Sequence, residues 1–217
     1  MPKPKVKDLQ ECNAAFRRLV STDVSRTIKA IPLERLKLLL FVDSSLGNAS
    51  GGSAQLAHMV CAVDQTIFEE KEADLSPLVY KSHRMSRAGS ATLLCEANAM
   101  SEGLAESEWV ASWIGLVKDL HYDLRKRNEL NREFRITSIM SEPKSDLSIA
   151  AITDAKSLYD NLTREQYAGA EKRSALEICV IRDSLESLGG CARWVPHDRN
   201  PTDCFTKLKG NVIQFEE

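Results

Sequence analysis

Leu38, Leu39, Leu40, Phe41 and Val42 form an unbroken apolar run, followed at once by Asp43. Five apolar residues without polar alternation do not suit a strand with one wet face. They suit a central strand covered on both faces. A second near-continuous run, DLSIAAIT at 146–153, also stops at an acid, Asp154. Two such strands need helices on either side of a common sheet, so the pattern predicts an α/β architecture. At 217 residues the chain can bury a full core without disulfide or metal staples.

The other segments fit that frame. Residues 7–20 read as an amphipathic helix with Leu9, Cys12, Phe16 and Leu19 on one face. GNASGGS at 47–53 reads as a turn or loop, and 55–64 and 77–82 as strands. Strands one to three would then form a meander. From 90 to 121, apolar residues recur at threes and fours, including Leu93, Ala97, Met100, Leu104, Trp109, Trp113 and Leu116. That spacing predicts one long helix. The polar stretch 122–145 is the least legible. Helices are expected over 155–163 and 170–188, a last strand over 191–196, and a terminal helix from Asn200. The predicted fold is a mixed five-stranded sheet, in βββαβαβα order, flanked by helices.

Charge narrows the function. Twenty-nine basic residues against 31 acidic ones give a net charge of −2. A strong free-standing nucleic-acid binder needs a basic footprint, so that class is disfavoured. An enzyme acting on nucleic acid through a local basic strip is not. The six cysteines at 12, 61, 95, 179, 191 and 204 include no CxxC pair, and the four histidines are scattered. Zinc-type spacing is therefore absent, and the cysteines read as free thiols in a reducing, intracellular compartment. The N-terminus lacks the apolar stretch of a secretory signal, and the run at 38–42 is far too short to span a membrane.

The acids carry the chemistry. If the two buried strands are neighbours, Asp43 and Asp154 lie roughly 5 Å apart. Carboxylates at that distance repel unless a proton or cation lies between them, which predicts a divalent-metal site. Glu96 sits within the apolar part of the long helix and would face inward. Asp203 follows Asn200, Pro201 and Thr202. Each acid also has an ordinary structural reading. An Asp after a strand can be a solvated end or a helix cap, and Glu96 can reach solvent at the edge of the core. Asn200 as N-cap and Pro201 at the first helical position make a good helix start. Asp203 then favours the helix dipole. Chemistry enters through the company the acids keep, in the order D, E, D, D.

Six segments in this order are FVDSSLGNA (41–49), SAQLAHMV (53–60), VYKSHRMSRAGSATLLCEANAM (79–100), ITDAKSLYDNL (152–162), EKRSALEICVIRDSLE (171–186) and RWVPHDRNPTDCFTK (193–207). Together they resemble the ribonuclease H domain of copia-type retrotransposon polyproteins. The resemblance implies a ribonuclease H-like domain over 36–209 and a tail over 210–217. Residues 1–35 would be a helical segment like the one joining reverse transcriptase to ribonuclease H. It implies that Asp43, Glu96, Asp154 and Asp203 are both the catalytic and the metal-binding carboxylates, holding two Mg²⁺ or Mn²⁺ ions. The reaction implied is endonucleolytic hydrolysis of the RNA strand of an RNA/DNA hybrid. A reverse transcriptase portion of the same polyprotein is an implied partner, and no membrane is involved.

Ser44, Ser45, Asn48, Lys172 and Arg173 are expected to contact substrate, with Lys81, Arg84 and Arg87 as further members of a basic strip. Turn chemistry is the alternative for the first three and a solvated face for the charges. His197 is expected to be a loop residue. No YxDD-type motif occurs in these residues, so they are not expected to synthesise DNA. The main rival is a non-catalytic connection domain of the same fold. An integrase would order its acids D, D, E, and a proofreading exonuclease would carry DxE in its first strand. This chain has DSS there.

Overall fold

The computed structural model describes residues 5–21, 28–49, 52–69, 72–86, 89, 91–118, 148–164 and 171–207. The expected stretch 122–145 and the tail over 210–217 lie outside them. Helix α1 (Val6–Ser21) precedes three antiparallel strands, β1 (Leu36–Ala49), β2 (Ser53–Asp64) and β3 (Leu75–Arg84). Helix α2 (Thr92–Lys118) follows, then β4 (Ile149–Thr153), α3 (Lys156–Thr163), α4 (Lys172–Ser187), β5 (Cys191–Trp194) and a short α5 (Asp203–Thr206). The sheet order is β3-β2-β1-β4-β5, with β4 parallel to both β1 and β5. This is the mixed five-stranded sheet flanked by helices that the sequence predicts. Both helices anticipated between β4 and β5 are present.

The apolar run of β1 alternates between two layers. Leu38, Leu40 and Val42 join Leu56, Val60, Met100, Leu104, Ile178 and Ile181 in one cluster. Leu39 and Phe41 join Met59, Cys61, Val63 and Ile152 in another. Each of these large side chains contributes roughly 1.5–3 kcal/mol on burial. Gly103 lets α2 lie close across β1, because a Cβ there would come within 2.7 Å of Leu40 Cδ1. From Gly103 back to Glu96, α2 covers about 10 Å. From Leu40 to Asp43, β1 also covers about 10 Å. The close helix crossing thus brings Glu96 to the level of Asp43.

Three expectations need correction. Strand β1 does not end at Asp43. It stays paired with β2 through Ser45 opposite Gln55 and resumes at Ala49 opposite Ser53, so much of the expected loop at 47–53 is hairpin. Cross-strand pairing carried the strand past its polar residues. Trp109 and Trp113 do not continue the buried face of α2; Val110 and Ala111 take the core side and both tryptophans are exposed. The terminal helix is a single turn among the described residues, and Asn200 precedes it in a separate turn. In α1, Leu9, Cys12 and Phe16 are exposed, and the side chain of Leu19 lies outside the described residues. No helix among the described residues is long and apolar enough to cross a membrane. All six cysteines are free.

Candidate active site

The parallel ladder between β1 and β4 stops with Val42 opposite Thr153. Beyond it β1 runs on with no β4 neighbour, and Asp43 and Asp154 flank the gap. Asp43 follows Leu39 and Phe41 on the face toward α5, where the Thr206 hydroxyl donates to its Oδ2. Glu96 arrives from α2 on the opposite face. Asp43, Glu96 and Asp154 each present one carboxylate oxygen within 4.8 Å of the others. Asp43 and Glu96 are buried, at 3% and 5% exposure.

Burial in such company is electrostatically costly. Desolvation, reinforced by Asp154 and Asp203, pushes the Asp43 carboxyl up to about 6 despite the Thr206 hydrogen bond. Desolvation and the nearby Asp43 charge push Glu96 up to about 8, with Ser44 offsetting part of the rise. Glu96 Oε2 is buried and has no hydrogen-bond partner among the described residues. A buried carboxylate with an unpartnered oxygen, grouped with two other carboxylates, fits a hard divalent cation, which prefers oxygen ligands. The donor set therefore suits Mg²⁺ or Mn²⁺ and contains no sulfur or nitrogen ligand that would favour zinc.

Asp154 is held by three groups. Its carbonyl accepts from the Trp194 indole at 2.9 Å. Its Oδ1 accepts from Asn200 Nδ2 at 3.1 Å, and the same amide donates to the Val42 carbonyl at 2.8 Å. Its Oδ2 meets His197 Nδ1. Asn200 is fully buried and has its own Oδ1 satisfied by Thr202. It thus stitches the end of the β1–β4 ladder to the loop before α5. The sequence reading made Asn200 only a helix cap, since nothing local marks a side chain that reaches back to residue 42.

Asp203 stands apart from the three converging acids. Its Oδ1 lies 2.7 Å from Lys207 Nζ and 3.1 Å from His197 Nε2. His197 is therefore more than a loop residue. It begins a short 3-10 turn (His197–Arg199), and its ring bridges Asp154 and Asp203. That pairing, chiefly the hydrogen bond to Asp154, raises its pKa. The separation of His197 from Asp203 along the chain conceals this bridge, because the turn folds the ring back between the two acids.

The remaining candidates are distributed differently. Ser44 is half-buried beside Glu96, and Ser45 is half-buried opposite Gln55 in the ladder. The side chains of Asn48 and Arg87 lie outside the described residues. Lys172 and Arg173 are exposed on the first turn of α4, and Lys81 and Arg84 are exposed on β3.

No protein-family model matches the chain, and no curated protein matches it. Solved structures do. The chain is similar to the N-terminal RNase H domain of a Mycobacterium tuberculosis protein, with 13% identity over 83% of this chain and 97% of that one, at a TM-score of 0.48. It is similar to RNase H1 from Halobacterium salinarum, with 13% identity over 76% and 89% of the two chains, at a TM-score of 0.44. It is also similar to a foamy viral protease-reverse transcriptase solved with an RNA/DNA hybrid. Identity there is 10%, over 90% of this chain and 22% of that one, with a TM-score of 0.43.

Proposed function

We propose that this chain is a metal-dependent ribonuclease H that cuts the RNA strand of RNA/DNA hybrids internally. We further propose that it belongs to, or derives from, a copia-type retrotransposon polyprotein. The observation that carries the reading is the convergence of three buried or half-buried carboxylates, Asp43, Glu96 and Asp154, at the open end of the β1–β4 ladder, with one buried Glu96 oxygen left unpartnered. The resemblance of six ordered sequence segments supports the substrate and the polyprotein context.

Asp43, Glu96 and Asp154 would hold the first divalent cation, and Asp43 with Asp203 a second. Such cations supply Lewis-acid stabilisation of the scissile phosphate and a lowered pKa for the attacking water. The protein's own part is positioning. Thr206 fixes the Asp43 carboxylate, Asn200 and His197 fix Asp154, and the tightly packed α2 fixes Glu96. Preorganised oxygen ligands need not reorganise during the reaction. His197, with a raised pKa and more than half of its side chain exposed, can hold a proton beside Asp203. Ser44, Ser45 and Asn48 would contact sugar or phosphate, the 2′-hydroxyl distinguishing RNA from DNA. Residues 36–209 would form the catalytic domain, with 1–35 joining it to a reverse transcriptase portion. Six free thiols fit a reducing compartment inside the cell.

A labelled RNA/DNA hybrid tests this directly. Cleavage of the RNA strand is expected with Mg²⁺ or Mn²⁺, none with EDTA, and none of duplex DNA. Equal cutting of duplex DNA, or undiminished activity in EDTA, refutes the assignment. The basic pair on α4 is checked by binding. Lys172→Ala with Arg173→Ala is expected to weaken hybrid affinity and flatten its salt dependence by about two counterions, because phosphate contacts release them. An unchanged salt slope would remove these residues from the substrate path.

A further inference from the structure

Lys207 closes an i, i+4 ion pair with Asp203 at 2.7 Å, and His197 Nε2 faces the same carboxylate oxygen at 3.1 Å. The pair is well shielded on one side, since the Asp203 side chain is only 11% exposed. Among the described residues, the set of acids able to share one ion contains Asp43, Glu96 and Asp154, and not Asp203. The two halves of the acidic cluster thus differ. Glu96 Oε2 in one half and Asp203 Oδ1 in the other are both buried without a hydrogen bond of good geometry, but only Asp203 has an ammonium within ion-pair distance.

We propose that Lys207 is an internal counter-cation that competes with the second divalent ion for Asp203, so that the two ions bind with unequal affinity. The inference rests on the metal-site reading above. A lysine ammonium is a compact charge with three donors on a flexible stem, well suited to withdraw when a stronger cation arrives. Its charge is felt beyond Asp203, for it counteracts the repulsion on Asp43. The first ion should enter at Asp43, Glu96 and Asp154, where no positive side chain has to leave. The second must displace or coexist with Lys207 at Asp203, and nearby like charge weakens it. Lys207 is thus a positioning residue that sets the order of metal loading.

Mn²⁺ titration of the whole chain, followed by electron paramagnetic resonance and calorimetry without substrate, tests this. Wild type is expected to bind one ion tightly and a second more weakly. Lys207→Met keeps the length of the side chain and removes its charge. It should tighten the second ion roughly tenfold while leaving the first within a factor of two or so. Lys207→Arg keeps the charge and should retain the weak second step. A lysine of purely structural importance would lower the melting temperature of the methionine variant without altering the second affinity. An unchanged second affinity in Lys207→Met, with wild type binding Mn²⁺, overturns the inference alone. Failure of wild type to bind any Mn²⁺ at millimolar concentration overturns the metal site itself and the inference with it.

Discussion

Asp43→Asn is expected to abolish cleavage and, at pH 8 in EDTA, to make the protein more stable than the parent. Asp43 is nearly fully buried beside Glu96 and Asp154, and its carboxyl is pushed up to about 6. At pH 8 the fold therefore holds an ionised group that it disfavours by about 1–3 kcal/mol. Asparagine removes the charge, and its Oδ1 can still accept from the Thr206 hydroxyl. A gain of roughly 3–8 °C in melting temperature follows for a chain of this size. Activity should fall by more than about 100-fold, because losing a ligand is at least as severe as losing a residue that supports one. The two readouts must move in opposite directions. Were Asp43 an architectural hydrogen-bond acceptor only, asparagine would leave both nearly unchanged, and alanine would lower stability alone.

The metal-free protein should also lose stability as pH rises from about 5 to about 8, and Mg²⁺ should reverse the loss. An acid whose pKa is higher in the fold than in the unfolded chain holds its proton more tightly when folded. Folding then takes up protons, and stability falls as pH climbs between the two values. Glu96, raised from 4.5 to about 8, and Asp43, raised from 3.8 to about 6, define that window. The two groups repel each other, so their protons leave as a coupled pair, and the total loss should be about 3–5 kcal/mol. A cation bound only by the folded state returns about 2.7 kcal/mol at one hundred times its dissociation constant. Melting curves at pH 5 and pH 8, in EDTA and in Mg²⁺, check this. A flat profile in EDTA, or an equal magnesium response at both pH values, would mean that the carboxylates do not share one enclosed site. Glu96→Gln should flatten the EDTA profile, since the larger of the two shifts is then gone.

Much of this protein was legible without coordinates. Apolar runs without alternation marked β1 and β4 as doubly covered strands, because burial on both faces leaves no room for polar residues. The acids at 43, 96 and 154 were legible for the complementary reason: a carboxylate placed beside such a run must be solvated, paired or bound to a cation. Periodicity located α2 but misjudged its second half. The buried stripe runs on at the same spacing through Ser107, Val110 and Ala111, while the larger apolar side chains of Trp109 and Trp113 lie off it and face solvent.

Tertiary structure alone decided the rest. The sequence placed Asp43 at a strand end, yet β1 continues, and the end that matters belongs to β4 at Thr153. Pairing length is set by the partner strand, which lies far away in the chain. Asn200 reaches the Val42 carbonyl and Asp154, and His197 turns its ring between Asp154 and Asp203. Neither role has a local signature, since each is a hydrogen bond closed over more than forty residues except for the short span from His197 to Asp203. Local patterns record which residues must be buried. Which polar atoms then satisfy one another is settled only when the elements are packed, because a hydrogen bond depends on positions accurate to a few tenths of an ångström.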